Sequence, residues 1–459
     1  MLKETLLNIV DLNFDKKLNN IGVFGQNITT RALEIYNEFK KNSKITTVFT
    51  QNKAEAEELF SIICEFEEET YIYPEIDILK RYTTKSNDLM QNSIKVLENI
   101  VTKTPSIIII PIEAIYRTVK NPKDFKDNSF EINLDTEISF NDLQKKLVNM
   151  GYKKVESVDV VGEFSKRGSI VDIFSPLSEK PVRLDFFDDE LDSIRLFDES
   201  TQKSLKKVDK IEIYPTSDFF LTSEEKDVVV GKLQEKLNDK KLKELENYQD
   251  INQYLKEKIE LYHATGDFSS LESFSNLIYK TPFSIIDYLD ENTIIFFDNY
   301  HKILEKIEGL REYFLTNLQE INRNYIFQEV IDSHAFEKLQ NINTVKYYLS
   351  TLKLNEKIIE KNYNLDIRDL AYYSSEEFLA KEIREKLNEN YKVLISLNTQ
   401  KQKDYVEKIL FDNYFYDDIY YGVKEGKIFI DVNKYHLKGL EDRKNKIFLL
   451  TPRELFTEE

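Results

Sequence analysis

From Gly162 to Ser204 the chain reads GEFSKRGSIVDIFSPLSEKPVRLDFFDDELDSIRLFDESTQKS. Three short runs in it alternate apolar and polar residues with a period of two, and turn-rich segments separate them. That pattern is met by an antiparallel sheet with one face buried, because successive strand side chains point to opposite faces. In the middle run Val182, Leu184 and Phe186 share one face, and Arg183, Asp185 and Phe187 share the other. A phenylalanine among charges on the outer face is not needed for a core. Exposed aromatic plus arginine is the composition of a protein-binding hot spot. Asp188-Asp189-Glu190 stands at the predicted hairpin turn, where solvated acids are favoured over a catalytic carboxylate pair.

Around this sheet the pattern is different. Before it, strand signals at Ile21–Gly25, Ile45–Thr50 and Ser106–Pro111 alternate with helix signals at Thr30–Lys40 and Ala54–Phe66. The run Ile107–Ile110 is continuously apolar, as expected for a parallel strand covered on both faces. A helix at Phe140–Met150 precedes the sheet. After it come a long charged helical stretch, Leu221–Tyr262, and another buried strand, Thr293–Asp298. The order reads as an α/β domain in two parts, residues 1–130 and 217–338, interrupted by an α+β module over residues 131–216. A smaller α/β domain over residues 339–459 is expected to open with a strand at Thr344–Leu349. It continues with a helix at Ser375–Leu387 and strands at Tyr391–Leu397, Ile428–Val432 and Lys446–Leu450.

The chain carries a formal net charge of −18 over 459 residues, and no lysine and arginine run with interleaved aromatics stands out. Nucleic-acid binders show a basic face that neutralises phosphates, so the favoured partner is protein. No apolar run approaches the roughly eighteen residues that span a membrane, and no secretory signal opens the chain, which points to the cytoplasm. The single cysteine, Cys64, excludes an intrachain disulfide and reads as a buried, inert thiol. His263, His301, His334 and His436 stand apart with no second ligand at metal-binding spacing, so no metal site is expected.

A phosphate-binding loop needs G-x-x-x-x-G-K-[ST]. From Gly22 the chain reads Gly-Val-Phe-Gly-Gln-Asn-Ile-Thr, so Thr29 is in register, but Asn27 replaces the second glycine and Ile28 the lysine. Isoleucine leaves the phosphates without their main counter-charge. The acidic motif is also altered: strand Thr293–Asp298 ends in Asp298-Asn299, with an amide where a water-activating carboxylate belongs. No nucleotide cofactor is expected here.

The words Arg167-Gly168, Asp172-Ile173-Phe174, Pro181, Arg183, Phe186-Phe187, Asp189-Glu190, Ser193-Ile194-Arg195, Phe197-Asp198 and Thr201-Gln202 resemble one module shared by two bacterial repair families. These are UvrB and the transcription-repair coupling factor, Mfd. In both, the module docks UvrA, the damage-recognition ATPase of nucleotide excision repair. Weaker resemblance to Mfd runs through Ala54–Glu57, Tyr73–Glu75, Pro111–Ala114, Ser284–Leu289, Leu437–Leu440 and Leu450–Phe456. It implies a degenerate RecA-like domain, a UvrA-docking insertion and a third α/β domain of unassigned role. RNA-polymerase-interacting and motor domains, which use ATP and magnesium, follow that point in the family. Engagement of RNA polymerase and DNA is thereby placed outside this chain. By motif position the UvrA-contacting residues fall on Arg167, Arg183 and Phe187, with Arg195 a fourth candidate; Gly168, Asp172 and Pro181 are expected to be scaffold. A C-terminal module masks this surface in the family, so here it is expected to stand open. The reading is a non-catalytic recruitment platform; the alternative is an ATP-dependent UvrB-like helicase subunit.

Overall fold

Strands that are apolar at every position are satisfied only between two covered faces. Ile107–Pro111 is such a strand, and it lies within a seven-stranded sheet in a computed structural model of the chain, which describes residues 2–75, 87–187, 190–244, 248–265, 268, 271, 274, 277–279, 281–322, 334–412, 422–433 and 435–456. Edge to edge the sheet runs Lys361–Asn364, Asn20–Phe24, Lys346–Leu349, Ile294–Asp298, Thr46–Thr50, Ile107–Pro111 and Thr70–Ile72. Every neighbouring pair is parallel. Alternate residues feed two cores. Phe49, Ile108, Ile110, Phe297 and Tyr348 face the helices Asn87–Thr102 and Tyr300–Asn322. Val23, Val48, Ile107, Ile109 and Phe296 face the helices Ile28–Asn42 and Lys53–Ile63.

One strand lies elsewhere than its sequence position suggests. Lys346–Leu349, expected to open the third domain at residue 339, is an interior strand of this first sheet, between Asn20–Phe24 and Ile294–Asp298. Its ring Tyr347 stacks on Phe296 with centroids 4.6 Å apart. The first sheet therefore reaches residue 364. Order in a parallel sheet is set by long crossovers, and no local pattern specifies it.

A second sheet combines Ile367–Asp369, Leu440–Asp442, Ile447–Leu450, Lys392–Leu397 and Ile428–Val432 in mixed orientation. The helices Glu376–Asn388 and Gln400–Asp412 accompany it, and Leu379, Ile383, Val406 and Leu410 pack on one side. Leu394, Leu437, Leu440 and Leu449 join the core beneath the first sheet instead. The long helical stretch is broken into Ser223–Leu237, Lys240–Lys243 and Tyr248–Thr265. Asn238 caps the first helix at its C-terminus. Val229, Leu233, Leu255 and Ile259 hold these helices together.

The module sits on a stem. Phe130–Asn133 pairs antiparallel with Lys210–Ile213, which brings its two ends together. Beyond the stem lies a six-stranded sheet in the order Ser204–Lys207, Glu190–Phe197, Val182–Phe187, Ile170–Ile173, Glu163–Arg167, Lys153–Lys154. The helix Phe140–Asn149 covers one face, with Leu143 and Leu147 against Phe164, Val171, Leu184 and Ile194. Among the described residues no helix is long and apolar enough to cross a membrane.

Candidate functional site

The alternation of Val182–Phe187 holds residue by residue. Val182, Leu184 and Phe186 are buried under the helix, and Phe186 meets Phe140 edge-on. On the opposite face Phe187 is 75% exposed. The helix therefore does not shelter it. Asp188 and Asp189 lie outside the described residues, while Glu190 pairs across from Phe187.

Register aligns the charged residues in rows. Ser165 is opposite Asp172, Asp172 opposite Arg183, and Arg183 opposite Arg195. The second row sets Arg167 opposite Ile170, Ile170 opposite Asp185, and Asp185 opposite Ser193. Asp172 is fully buried and central to the arginines. Its Oδ1 accepts from Arg183 Nε at 2.7 Å, and its Oδ2 accepts from Arg183 Nη2 at 2.9 Å and Arg167 Nη2 at 2.6 Å. This two-point fork is the strong form of an arginine–carboxylate contact.

Arg183 is held on two further sides. Its Nη1 donates to the Gln202 carbonyl at 3.3 Å, and its guanidinium lies 4.5 Å from the ring centre of Phe197. Phe197 is itself buried with Val158 and Phe174, and Gln202 donates to the Val158 carbonyl. The segment around Val158 thus covers part of this face. Arg195 donates from Nη2 to Asp185 at 2.5 Å and from Nε to Ser193 Oγ at 3.2 Å. Gly168 turns the chain between two of these strands with φ +63°, a left-handed conformation that favours glycine.

The structure brings Arg167, Arg183, Phe187 and Arg195 onto one face but gives them unequal exposure. The Arg183 side chain is 15% exposed and that of Arg167 48%. The Arg183 contact with Asp172 is a bidentate bond to a buried carboxylate, more than an ordinary surface pair. Glu163 accepts from the backbone N–H groups of Asp159 and Val160. Asp172 was read as scaffold, and nothing in the alternation revealed that two arginines converge on it. Its place on the Arg183 face was the available signal.

The altered phosphate loop is built differently. Asn27 caps the helix Ile28–Asn42: its side chain accepts from Thr30 N at 3.1 Å, while Thr30 Oγ1 accepts from Asn27 N at 3.0 Å. Asn27 Nδ2 also donates to the Gly439 carbonyl. Thr29 Oγ1 donates to the Lys438 carbonyl at 2.8 Å and accepts from Lys438 N at 2.7 Å. The Gly25 N–H donates to the Thr351 carbonyl, and a Cβ on Gly22 would meet Asn362 at 2.2 Å. Ile28 is buried. Asp298, also fully buried, lies 2.5 Å from Arg31 Nε. Burial pushes its pKa up and Arg31 opposes that shift. Asn299 takes a left-handed φ of 56°. The Gly25 and Asn27 N–H groups and the Thr29 hydroxyl, which a phosphate loop would turn toward ligand, are engaged by the chain's own backbone and side chains.

Cys64 is half-buried, more exposed than expected, and burial raises its pKa. His334 Nδ1 lies 2.9 Å from Glu337. No group of three His, Cys, Asp or Glu is placed to hold a metal among the described residues.

Comparison with known proteins adds an independent line. Residues 130–219 match the UvrB interaction domain family. Over 453 residues, 95% of the chain, it is 27% identical to the transcription-repair-coupling factor of Staphylococcus epidermidis strain ATCC 35984, and covers 38% of that protein. Against the transcription-repair-coupling factor of Staphylococcus aureus strain MRSA252 the identity is 27% over 466 residues, 97% of this chain and 39% of the relative. The chain thus spans about two-fifths of the length of the curated relatives it matches.

Proposed function

We propose that this chain is a non-catalytic recruitment platform that docks UvrA during transcription-repair coupling. The observation that carries this reading is Phe187, 75% exposed on the same sheet face as the arginine cluster, inside the segment that matches the UvrB interaction domain. An exposed aromatic that shares a face with arginines has the makeup of an interface centre, and its cost in solvent is recovered when a partner covers it. Arg167 and Arg195 supply charge around it, and Arg183 supplies a rigid edge.

The first sheet and its helices serve, in this reading, as a degenerate RecA-like body that carries the module on its stem. Thr29 and Asn27 already bond Lys438 and Gly439, which supports a body that does not turn over ATP. Contacts with RNA polymerase and DNA are assigned to regions of the relatives outside the matched span, and the place of action to the cytoplasm.

Titration calorimetry of the chain against UvrA tests the proposal. Binding by the unmodified chain that weakens at least about tenfold in Phe187→Ala is the expected result, in line with a hot-spot residue. Absence of binding by the unmodified chain would remove the assignment. Binding that Phe187→Ala leaves untouched would move the surface elsewhere.

A further inference from the structure

Resting on the UvrA-docking reading, we propose that Asp172 is the positioning residue of that surface, fixing Arg167 and Arg183 for a carboxylate of the partner. The register sets Arg183 directly opposite Arg195. Like charges facing across a ladder repel, so the pair persists only with a counter-charge on each side. Asp185 serves Arg195, and Asp172 serves Arg183. Asp172 differs in being fully buried and in accepting three N–H bonds from two arginines.

A free arginine side chain samples many rotamers, and ordering it on binding has an entropic cost. Here that cost is met on folding. Asp172, the Gln202 carbonyl and the Phe197 ring hold the Arg183 guanidinium on separate sides, and Asp172 anchors one end of Arg167. The remaining N–H groups of both planes are presented on the same sheet face as Phe187. Planar forks of this kind suit acidic side chains bordering an apolar pocket.

Asp172→Asn separates positioning from net charge, because the two predict opposite signs. It nearly preserves shape and removes one negative charge from the surface. If the arginines acted only as point charges, an acidic partner would bind the variant as tightly or more tightly. If Asp172 positions them, binding weakens.

The experiment measures UvrA affinity of the full chain for the unmodified protein, D172N, R167A, F187A, R167A/D172N and F187A/D172N. Circular dichroism confirms folding at the binding temperature. The expected result is a tenfold or larger loss in D172N. R167A should matter little in the D172N background, whereas F187A, which does not bond Asp172, should cost the same factor in both backgrounds. Unchanged or tighter binding by D172N, or an R167A effect equal in both backgrounds, would overturn the proposal. Failure of the unmodified chain to bind would overturn the docking reading itself.

A measurement without any variant covers the case in which D172N does not fold. The Arg183 Nε–H signal in the NMR spectrum of the free chain should exchange with water at least tenfold more slowly than that of the exposed Arg443. Equal rates would show that Asp172 does not hold the guanidinium and would also overturn the proposal.

Discussion

Arg183→Ala would leave the Asp172 carboxylate buried with Arg167 as its remaining arginine partner. Breaking a buried pair from one side is costly because a desolvated charge remains. With Arg167 still in place, the expected loss is about 2 kcal/mol of unfolding free energy, read by urea denaturation. Phe187→Ala removes a side chain that is mostly in water, so its stability should change by less than about 0.5 kcal/mol. Any loss of partner affinity in Phe187→Ala then reports on the surface, whereas the same loss in Arg183→Ala mixes binding with folding. Strand alternation placed Phe187 on the Arg183 face, and the fold, with its helix on the opposite face, leaves it exposed. The depth of Asp172 was not legible, because its surroundings include Phe197, Gln202 and the segment around Val158, which come together only in the fold.

Elsewhere a single buried acid makes a pH prediction. Glu34 is fully buried and neither carboxylate oxygen has a hydrogen-bond partner. Burial first, then the neighbouring Glu38, push its pKa well above 4.5, with Asp11 adding to the shift and Lys41 opposing it. Tyr347 reaches the same cluster through its bond to Glu38. The folded chain keeps this proton at pH values where the unfolded chain has lost it. Stability from this group is therefore greatest below the unfolded value, falls as pH rises toward the folded pKa, and stays lost above it. Each pH unit inside that window costs up to about 1.4 kcal/mol. Glu34→Gln should flatten the dependence and raise stability at pH 7, as measured by urea melts between pH 4.5 and 8. A steeper dependence in the variant would contradict the sign.

At the scale of elements, the helix Ile28–Asn42 shows what became of the altered phosphate loop. Asn27 and Thr30 form a reciprocal cap, and Thr29 ties the first turn to Lys438 by two bonds. Asn27→Ala should cost about 1–2 kcal/mol, the usual range for a lost N-cap. Restoring the motif with Asn27→Gly and Ile28→Lys should not restore ATP binding, because Thr29 stays bonded to Lys438 and the Gly25 N–H to the Thr351 carbonyl. Equilibrium dialysis with ATP and magnesium checks this; saturable binding by the double variant would refute it. The sequence marked the missing lysine but not the segment that took its place, since Thr29 and Lys438 are 409 residues apart. Helices and strands with strong local pattern were placed to within a few residues, as at Ile107–Pro111 and Phe140–Asn149. The break after Leu237 was missed because it carries neither glycine nor proline; Asn238 ends that helix.

Across the whole molecule, the core that each segment shares decides what can fold alone. The module has its own core around Leu143, Val171, Leu184 and Ile194, and its stem strands Phe130–Asn133 and Lys210–Ile213 close it at the base. The C-terminal sheet has no such independence. Leu394, Leu437, Leu440 and Leu449 share a core with Val23, Leu33, Val48 and Phe296, and the strands Lys346–Leu349 and Lys361–Asn364 belong to the first sheet although they follow the expected boundary at 338. A chain cut after residue 338 would therefore lose an interior strand of its parallel sheet and expose the strands on both sides of the gap, Asn20–Phe24 and Ile294–Asp298. Residues 130–219 expressed alone should melt cooperatively and keep the UvrA affinity of the full chain to within about threefold, roughly 0.6 kcal/mol. Residues 1–338 should lack a cooperative transition and bind a hydrophobic dye, because stability in such a sheet depends on burying both faces. Circular dichroism melts of the two fragments, compared with the full chain, decide the matter. A cooperative transition for residues 1–338 would mean that the sheet can close without Lys346–Leu349, and the shared core would then be a contact between bodies that fold separately.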